Sequence, residues 1–177
     1  KIMKMSLTQL VFAISFVSLC YSSVANAQDK LKTTISISLE DKSLKTILSE
    51  RTTLLKKPIN PRPVLVASIG EEMHSLAIHA LTAALAERNI ECHFLGARTP
   101  FAALEAMVEK FAPPAIFLWA QLDKNGKPEV LGEIPSIRPA PRVVLGGPGW
   151  NRKEVKSAVL VDDLLDACEE IMRAVGA

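Results

Sequence analysis

Cysteine is scarce in this chain and badly placed for cross-linking. Cys20, Cys92 and Cys168 are scattered over 177 residues, whereas a disulfide framework or a zinc cluster needs paired, short spacings. Both are excluded, and the cysteines read as small buried hydrophobes. Long apolar runs are missing too. The longest stretch near the N-terminus covers residues 10–19, and a permanent transmembrane helix needs about 20 apolar residues. No one sign of charge dominates: the formal net charge is +2. That value hides a division, because residues 1–62 hold ten Lys/Arg against four Asp/Glu, while residues 63–177 hold eleven against fifteen. A mildly acidic second segment repels phosphate backbones, so direct contact with nucleic acid is not expected from it.

The N-terminus has the layout of a secretory signal peptide. Lys1 and Lys4 precede the apolar run, and Ala25-Asn26-Ala27 follows as a small-x-small site, with cleavage expected after Ala27. Cys20 follows the bulky Leu19, which disfavours lipoprotein processing. Residues 33–39 then alternate with Ile35, Ile37 and Leu39 on one face, the pattern of a strand. Asp41 is placed to cap a helix over 43–51, where Leu44, Ile47 and Leu48 recur at helical spacing. This strand and helix resemble the start of the small secretin and TonB N-terminal module, over about twenty-five residues. Lys56-Lys57-Pro58-Ile59-Asn60-Pro61-Arg62-Pro63 reads as a linker. The expected organisation is a leader at 1–27, a short extension and linker at 28–62, and a domain from 63 to 177.

Within that domain strands and helices alternate. Strands are expected at 64–68, 90–95, 115–120, 142–145 and 158–161, and helices at 75–88, 101–111 and 162–175, the last capped by Asp162. Pro128, Pro135, Pro139 and Pro141 leave room between 121 and 141 for a turn or two around 130–133, so an irregular crossover is expected there. The alternation predicts an α/β fold, a doubly wound five-stranded parallel sheet of flavodoxin-like order.

In such sheets ligands bind at the carboxyl ends of the strands. The third strand ends Leu118-Trp119-Ala120-Gln121, with no carboxylate for a phosphoacceptor site. The loop after the first strand, Ile69-Gly70-Glu71-Glu72-Met73-His74, sets two acids where a flavin phosphate would lie. Its single glycine falls short of the three of a dinucleotide fingerprint. The same loop offers an imidazole with a carboxylate two residues away, a pairing in which one ring nitrogen binds a metal while the acid holds the other. The fourth strand runs into Gly146-Gly147-Pro148-Gly149. A glycine pair lets a bulky ligand approach the backbone, and it is also the composition of a plain tight turn. His79 lies about 140 degrees around the helix from His74, so the two do not share a metal; His79 and His93 read as structural, Trp119 as core, and Trp150 as pocket rim or packing.

Residues 64–177 resemble the cobalamin-binding domain, whose signature is acid-x-His-x-x-Gly, then Ser-x-Leu, then Gly-Gly. The version appended to light- or cobalamin-responsive regulators of the MerR type is the most similar, because Glu in place of Asp before the histidine is common there. The resemblance implies that His74 is the lower axial ligand to cobalt and displaces the dimethylbenzimidazole base. It implies that Glu72 orients the imidazole, and that Ala77, Gln121, Gly146 and Gly147 lie along the nucleotide tail as it threads in beside the first strand. Cobalamin, of unspecified upper ligand, is the implied cofactor. Two positions depart from the signature. Ala77 replaces the signature glycine, and Trp119-Ala120-Gln121 replaces Ser-x-Leu. Either Gln121 supplies a different hydrogen bond, or Trp119 fills the pocket and weakens or abolishes base-off binding.

Residues 1–62 offer no substitute for the helical bundle or the helix-turn-helix that the regulators carry. A catalytic barrel of the kind that cobalamin enzymes add does not fit the length. The expectation is therefore a binding module without chemistry of its own, the sensory piece of a transcription regulator or a carrier. The alternative is an exported interaction domain that keeps the sheet and has lost the ligand. Localisation divides the same way: the leader predicts export, and the resemblance implies a cytoplasmic protein.

Overall fold

The structure is a computed structural model that describes residues 44–177. The expected leader, the strand at 33–39 and the Asp41 cap lie outside the described residues. The chain runs through helix α1 (Leu44–Thr52), strand β1 (Val64–Ile69), helix α2 (Leu76–Glu87), strand β2 (Cys92–Thr99), helix α3 (Phe101–Phe111) and strand β3 (Ala115–Trp119). A 3-10 turn (Pro128–Glu133), strands β4 (Arg142–Gly146) and β5 (Val159–Val161), and helix α4 (Leu164–Val175) complete it.

All five strands pair in parallel, in the order β2-β1-β3-β4-β5. This is the flavodoxin-like sheet the alternation predicts. Two of its three interior positions, those of β1 and β3, explain the two most continuous apolar runs, since an interior parallel strand is covered on both faces. Every residue of β1 and of β3 is buried. Val64 and Val66, with Phe117, Trp119 and Val144, pack under Ile78, Leu81 and Leu85 of α2 and Leu164 and Ile171 of α4. On the opposite face Leu65, Ala67, Ile116, Leu118 and Leu145 pack against Leu104 and Val108 of α3. Helix α1 lies outside α2 and buries Leu48 in the first of these cores.

Two details differ from the sequence pattern, and a third agrees with it. Strand β2 continues to Thr99, past Gly96, because backbone pairing with β1 survives two register shifts. Gly96 (φ +92°) and Arg98 (φ +53°) absorb that irregularity. Helix α4 is capped by Asp163, whose carboxylate accepts from the Asp166 amide at 2.9 Å, one residue later than expected. Between β3 and β4 the chain forms only the six-residue 3-10 turn, with Pro128 in its first turn, so the proline-rich crossover is irregular as expected. Burial, with Cys168 and Glu91 nearby, pushes the Cys92 thiol up to about 12, which leaves it protonated and unreactive at neutral pH.

The proline-rich segment is tied to the sheet. Asn60 is buried, its amide donates to the carbonyls of Arg62 and Glu91 at 2.8 and 2.9 Å, and its carbonyl accepts from the Glu91 amide at 2.8 Å. Leaving those groups unsatisfied carries a desolvation cost. Asn60→Ala is expected to lower the unfolding free energy by about 2 kcal/mol in a urea titration, whereas Lys57→Ala, on an exposed side chain of the same segment, is expected to change it by less than about 0.5 kcal/mol.

Candidate functional site

Strand β1 ends at a sharp reversal. Gly70 takes φ +62°, a left-handed conformation that suits glycine, and its amide bonds to the Thr99 carbonyl at 3.0 Å. The Glu72 amide returns to the Ile69 carbonyl at 3.2 Å, and the Arg98 amide donates to the Glu72 carbonyl at 2.8 Å. The reversal sends the two neighbouring acids in opposite directions. Glu71 is exposed and pairs with Arg98 at 2.7 Å, while Glu72 is turned into the carboxyl edge of the sheet and is 0% exposed.

A buried carboxylate is tolerated only when its oxygens are saturated with donors. Glu72 meets that condition with five. Its Oε1 accepts from the His74 amide at 2.9 Å and from His74 Nδ1 at 2.5 Å. Its Oε2 accepts from the amides of Gln121 at 2.9 Å and Leu122 at 3.2 Å, and from the Asn125 side-chain amide at 2.9 Å. Burial alone would raise the pKa of this group. The bonds from Asn125, from the His74 amide and ring, and from the Leu122 amide outweigh it and hold the carboxyl below its ordinary range. The carboxylate thereby joins the loop after β1 to the loop after β3.

An ionised carboxylate only accepts, so Nδ1 of His74 carries the proton it donates. Nε2 is then the nitrogen whose lone pair can meet a metal. The His74 side chain is 28% exposed, open enough for a ligand to reach. Its backbone is fixed as well, because the Ser68 hydroxyl donates to the His74 carbonyl at 3.0 Å. Met73, the residue before it, is 61% exposed.

The other expected site residues divide into two groups. Gln121 joins Glu72 and His74, through its backbone amide. Ala77, on the first turn of α2, is buried in the core between the sheet and α2. Gly146 and Gly147 lie at the end of β4 beside Trp119, which pairs in register with Ser68 on one side and Gly146 on the other. The absent side chains of the two glycines make room for atoms of this chain. A Cβ on Gly146 would come within 2.5 Å of the Phe117 ring and 3.1 Å of Trp119 Cε3. One on Gly147 would collide with the Ala120 carbonyl oxygen and stand 3.3 Å from Trp119 Cδ2. Gly147 also has φ +102°, so it is fixed as glycine by both conformation and contact.

The remaining histidines are held by packing: His79 lies 4.4 Å from the Phe94 ring and 3.3 Å from Ser49 Oγ, and His93 meets the Phe111 ring edge-on at 4.4 Å. Trp150 is buried and donates from Nε1 to the Gly146 carbonyl at 3.1 Å, which makes it packing rather than rim. Two contributors escaped the sequence reading, Ser68 and Asn125. Asn125-Gly126 is a turn dipeptide, and that was the only local signal for it.

Because five donors point at one carboxylate, an amide in its place would bring its own donors against them. Glu72→Gln is expected to lower the unfolding free energy by about 3 kcal/mol with no ligand present. His74→Ala, which leaves four of the five donors in place, is expected to cost less than about 1.5 kcal/mol in the same urea titration.

No protein-family model matches the chain, and neither does any curated protein. Among solved structures it is similar to the 1.5 Å crystal structure of a cobalamin-binding protein from Desulfitobacterium hafniense DCB-2. The match has a TM-score of 0.59 at 15% sequence identity, and covers 95% of this chain and 98% of that one. At that identity the likeness is one of fold.

Proposed function

We propose that this domain binds a corrinoid of the cobalamin type, with Nε2 of His74 as the lower axial ligand to cobalt. The observation that carries the proposal is the Glu72 to His74 pair: a partly exposed imidazole whose Nδ1 is bonded at 2.5 Å to a fully buried, ionised carboxylate. That arrangement fixes the tautomer and the ring orientation, and leaves Nε2 as the nitrogen that can face a metal. It offers a metal one nitrogen and no second ligand, since Glu72 is consumed by its five donors. A metal that arrives with its equatorial positions already filled, as cobalt does in a corrin, suits such a site. The place also agrees, at the carboxyl edge of a parallel sheet, in a fold shared with a protein that binds cobalamin.

The corrinoid would supply the cobalt and the ligand on its upper face. The chain would supply the axial nitrogen through His74, and orient it through Glu72 and Ser68. On this reading the domain serves as a sensory module of a transcription regulator or as a carrier. The fit is one-sided, however. The space beside Gly146 and Gly147, where a displaced nucleotide base would go, is lined by Phe117, Trp119 and the Ala120 carbonyl. This packing favours a second reading, an interaction domain that keeps the sheet and has lost corrinoid binding.

Titration with cobinamide in its aqua form, and separately with hydroxocobalamin, distinguishes the two readings. The corrinoid reading expects a saturable change in the visible bands with at least one of them, and His74→Ala is expected to remove that change and weaken binding by about tenfold or more. Spectra that stay those of the unbound corrinoids throughout, for both ligands, would leave the interaction domain as the better account.

A further inference from the structure

Trp119 approaches both glycines of the Gly146-Gly147 pair with its side chain. It is the last residue of β3, and alternation along that strand sends Phe117 and Trp119 to the face covered by α2 and α4. Its Cα partners are Ser68 of β1 and Gly146 of β4, so it lies between the strand that leads to His74 and the strand that leads to Gly147. Its ring atoms stand 3.1 and 3.3 Å from where the Cβ atoms of Gly146 and Gly147 would be, and the residue is only 3% exposed. Nearby groups add to the closure. Ala77 of α2 belongs to the same core, the Ser68 hydroxyl already donates to the His74 carbonyl, and the Gln121 amide already donates to Glu72.

Indole and benzimidazole are both fused five- and six-membered aromatic rings of nearly equal volume. From this we infer that Trp119 takes up the space in which a corrinoid's nucleotide base would be buried, so that the site selects corrinoids that have no base to bury. The inference rests on the corrinoid reading of His74 and narrows its ligand class. Cobinamide, which lacks the nucleotide and leaves its lower cobalt position open to an imidazole, is the preferred form. Cobalamin binds less well, because its base must leave the cobalt and then remain in solvent, with no burial to offset the displacement. A close-packed core does not open such a volume without rearrangement.

The test measures dissociation constants of the full chain for aquacobinamide and hydroxocobalamin, using the visible bands, alongside proton spectra of the benzimidazole in the cobalamin complex. Cobinamide is expected to bind at least about tenfold more tightly, and the benzimidazole lines of bound cobalamin are expected to stay as narrow as those of a solvent-mobile group. Trp119→Ala, with folding checked by circular dichroism, is expected to tighten cobalamin by about tenfold while changing cobinamide little, and Trp119→Phe is expected to recover only part of that gain. Cobalamin that binds through His74 as tightly as cobinamide, with its benzimidazole lines broadened by immobilisation, overturns this inference and leaves the axial-ligand reading intact. Failure of both corrinoids to bind removes the axial-ligand reading, and the selectivity falls with it. Where Trp119→Ala does not fold, the wild-type affinity ratio and the line widths still decide the matter.

Discussion

The Glu72 carboxylate is the constraint on which the rest of the site depends. A charge that is 0% exposed survives only because five donors from two loops converge on it. That requirement fixes more than the acid itself. It sets the path of the chain from Gly70 to His74, it sets the turn from Gln121 to Asn125, and it holds these two loops together at the ends of adjacent strands β1 and β3. His74 is one of the donors, so the orientation of its ring is a by-product of satisfying the buried charge.

The same edge of the sheet is knit by close backbone approach further along. The Gly149 amide donates to the Ala120 carbonyl at 3.0 Å, and the Ala120 amide donates to the Gly146 carbonyl at 3.1 Å. A side chain on Gly126 would strike the Gly149 backbone, and one on Gly149 would strike the Leu122 carbonyl at 2.5 Å. The loop after β4 is thus pressed onto the loop after β3, which Glu72 in turn anchors to the loop after β1. The three loops form one continuous rim, and a side chain added at Gly126, Gly147 or Gly149 would strike backbone within it.

Much of the scaffold was legible because it rests on local patterns. The apolar run at 64–68 announced a buried parallel strand and that at 115–120 a strand, and the structure buries every residue of β1 and β3. The acid and histidine two residues apart were equally visible. What was hidden depended on long-range partners. Asn125 donates to an acid 53 residues earlier, and nothing in its neighbourhood predicts that. The extension of β2 to Thr99 was missed because apolar character lapses at Gly96 and Arg98 while backbone pairing continues. The Gly146-Gly147 pair was legible as a place where something approaches the backbone closely. Sequence alone left open what that was, and the structure puts Phe117, Trp119 and the Ala120 carbonyl there.

On the proposed corrinoid reading, Glu72 and Trp119 divide the recognition problem between them. Glu72 determines what a metal would encounter, a single oriented nitrogen with its partner already bonded, so little ordering is left to be done on binding and little affinity is lost to it. Trp119 determines what the remainder of a ligand would encounter, a filled core where a deep cleft might have been. The two are coupled through β1 and β3, because Ser68, which bonds the His74 carbonyl, is the register partner of Trp119. A ligand that pushed the indole aside would therefore press on the strand position that holds the histidine backbone. A ligand that stays on the rim leaves both undisturbed, and for that reason the arrangement suits a flat macrocycle bound from one side better than one with an appendage to bury.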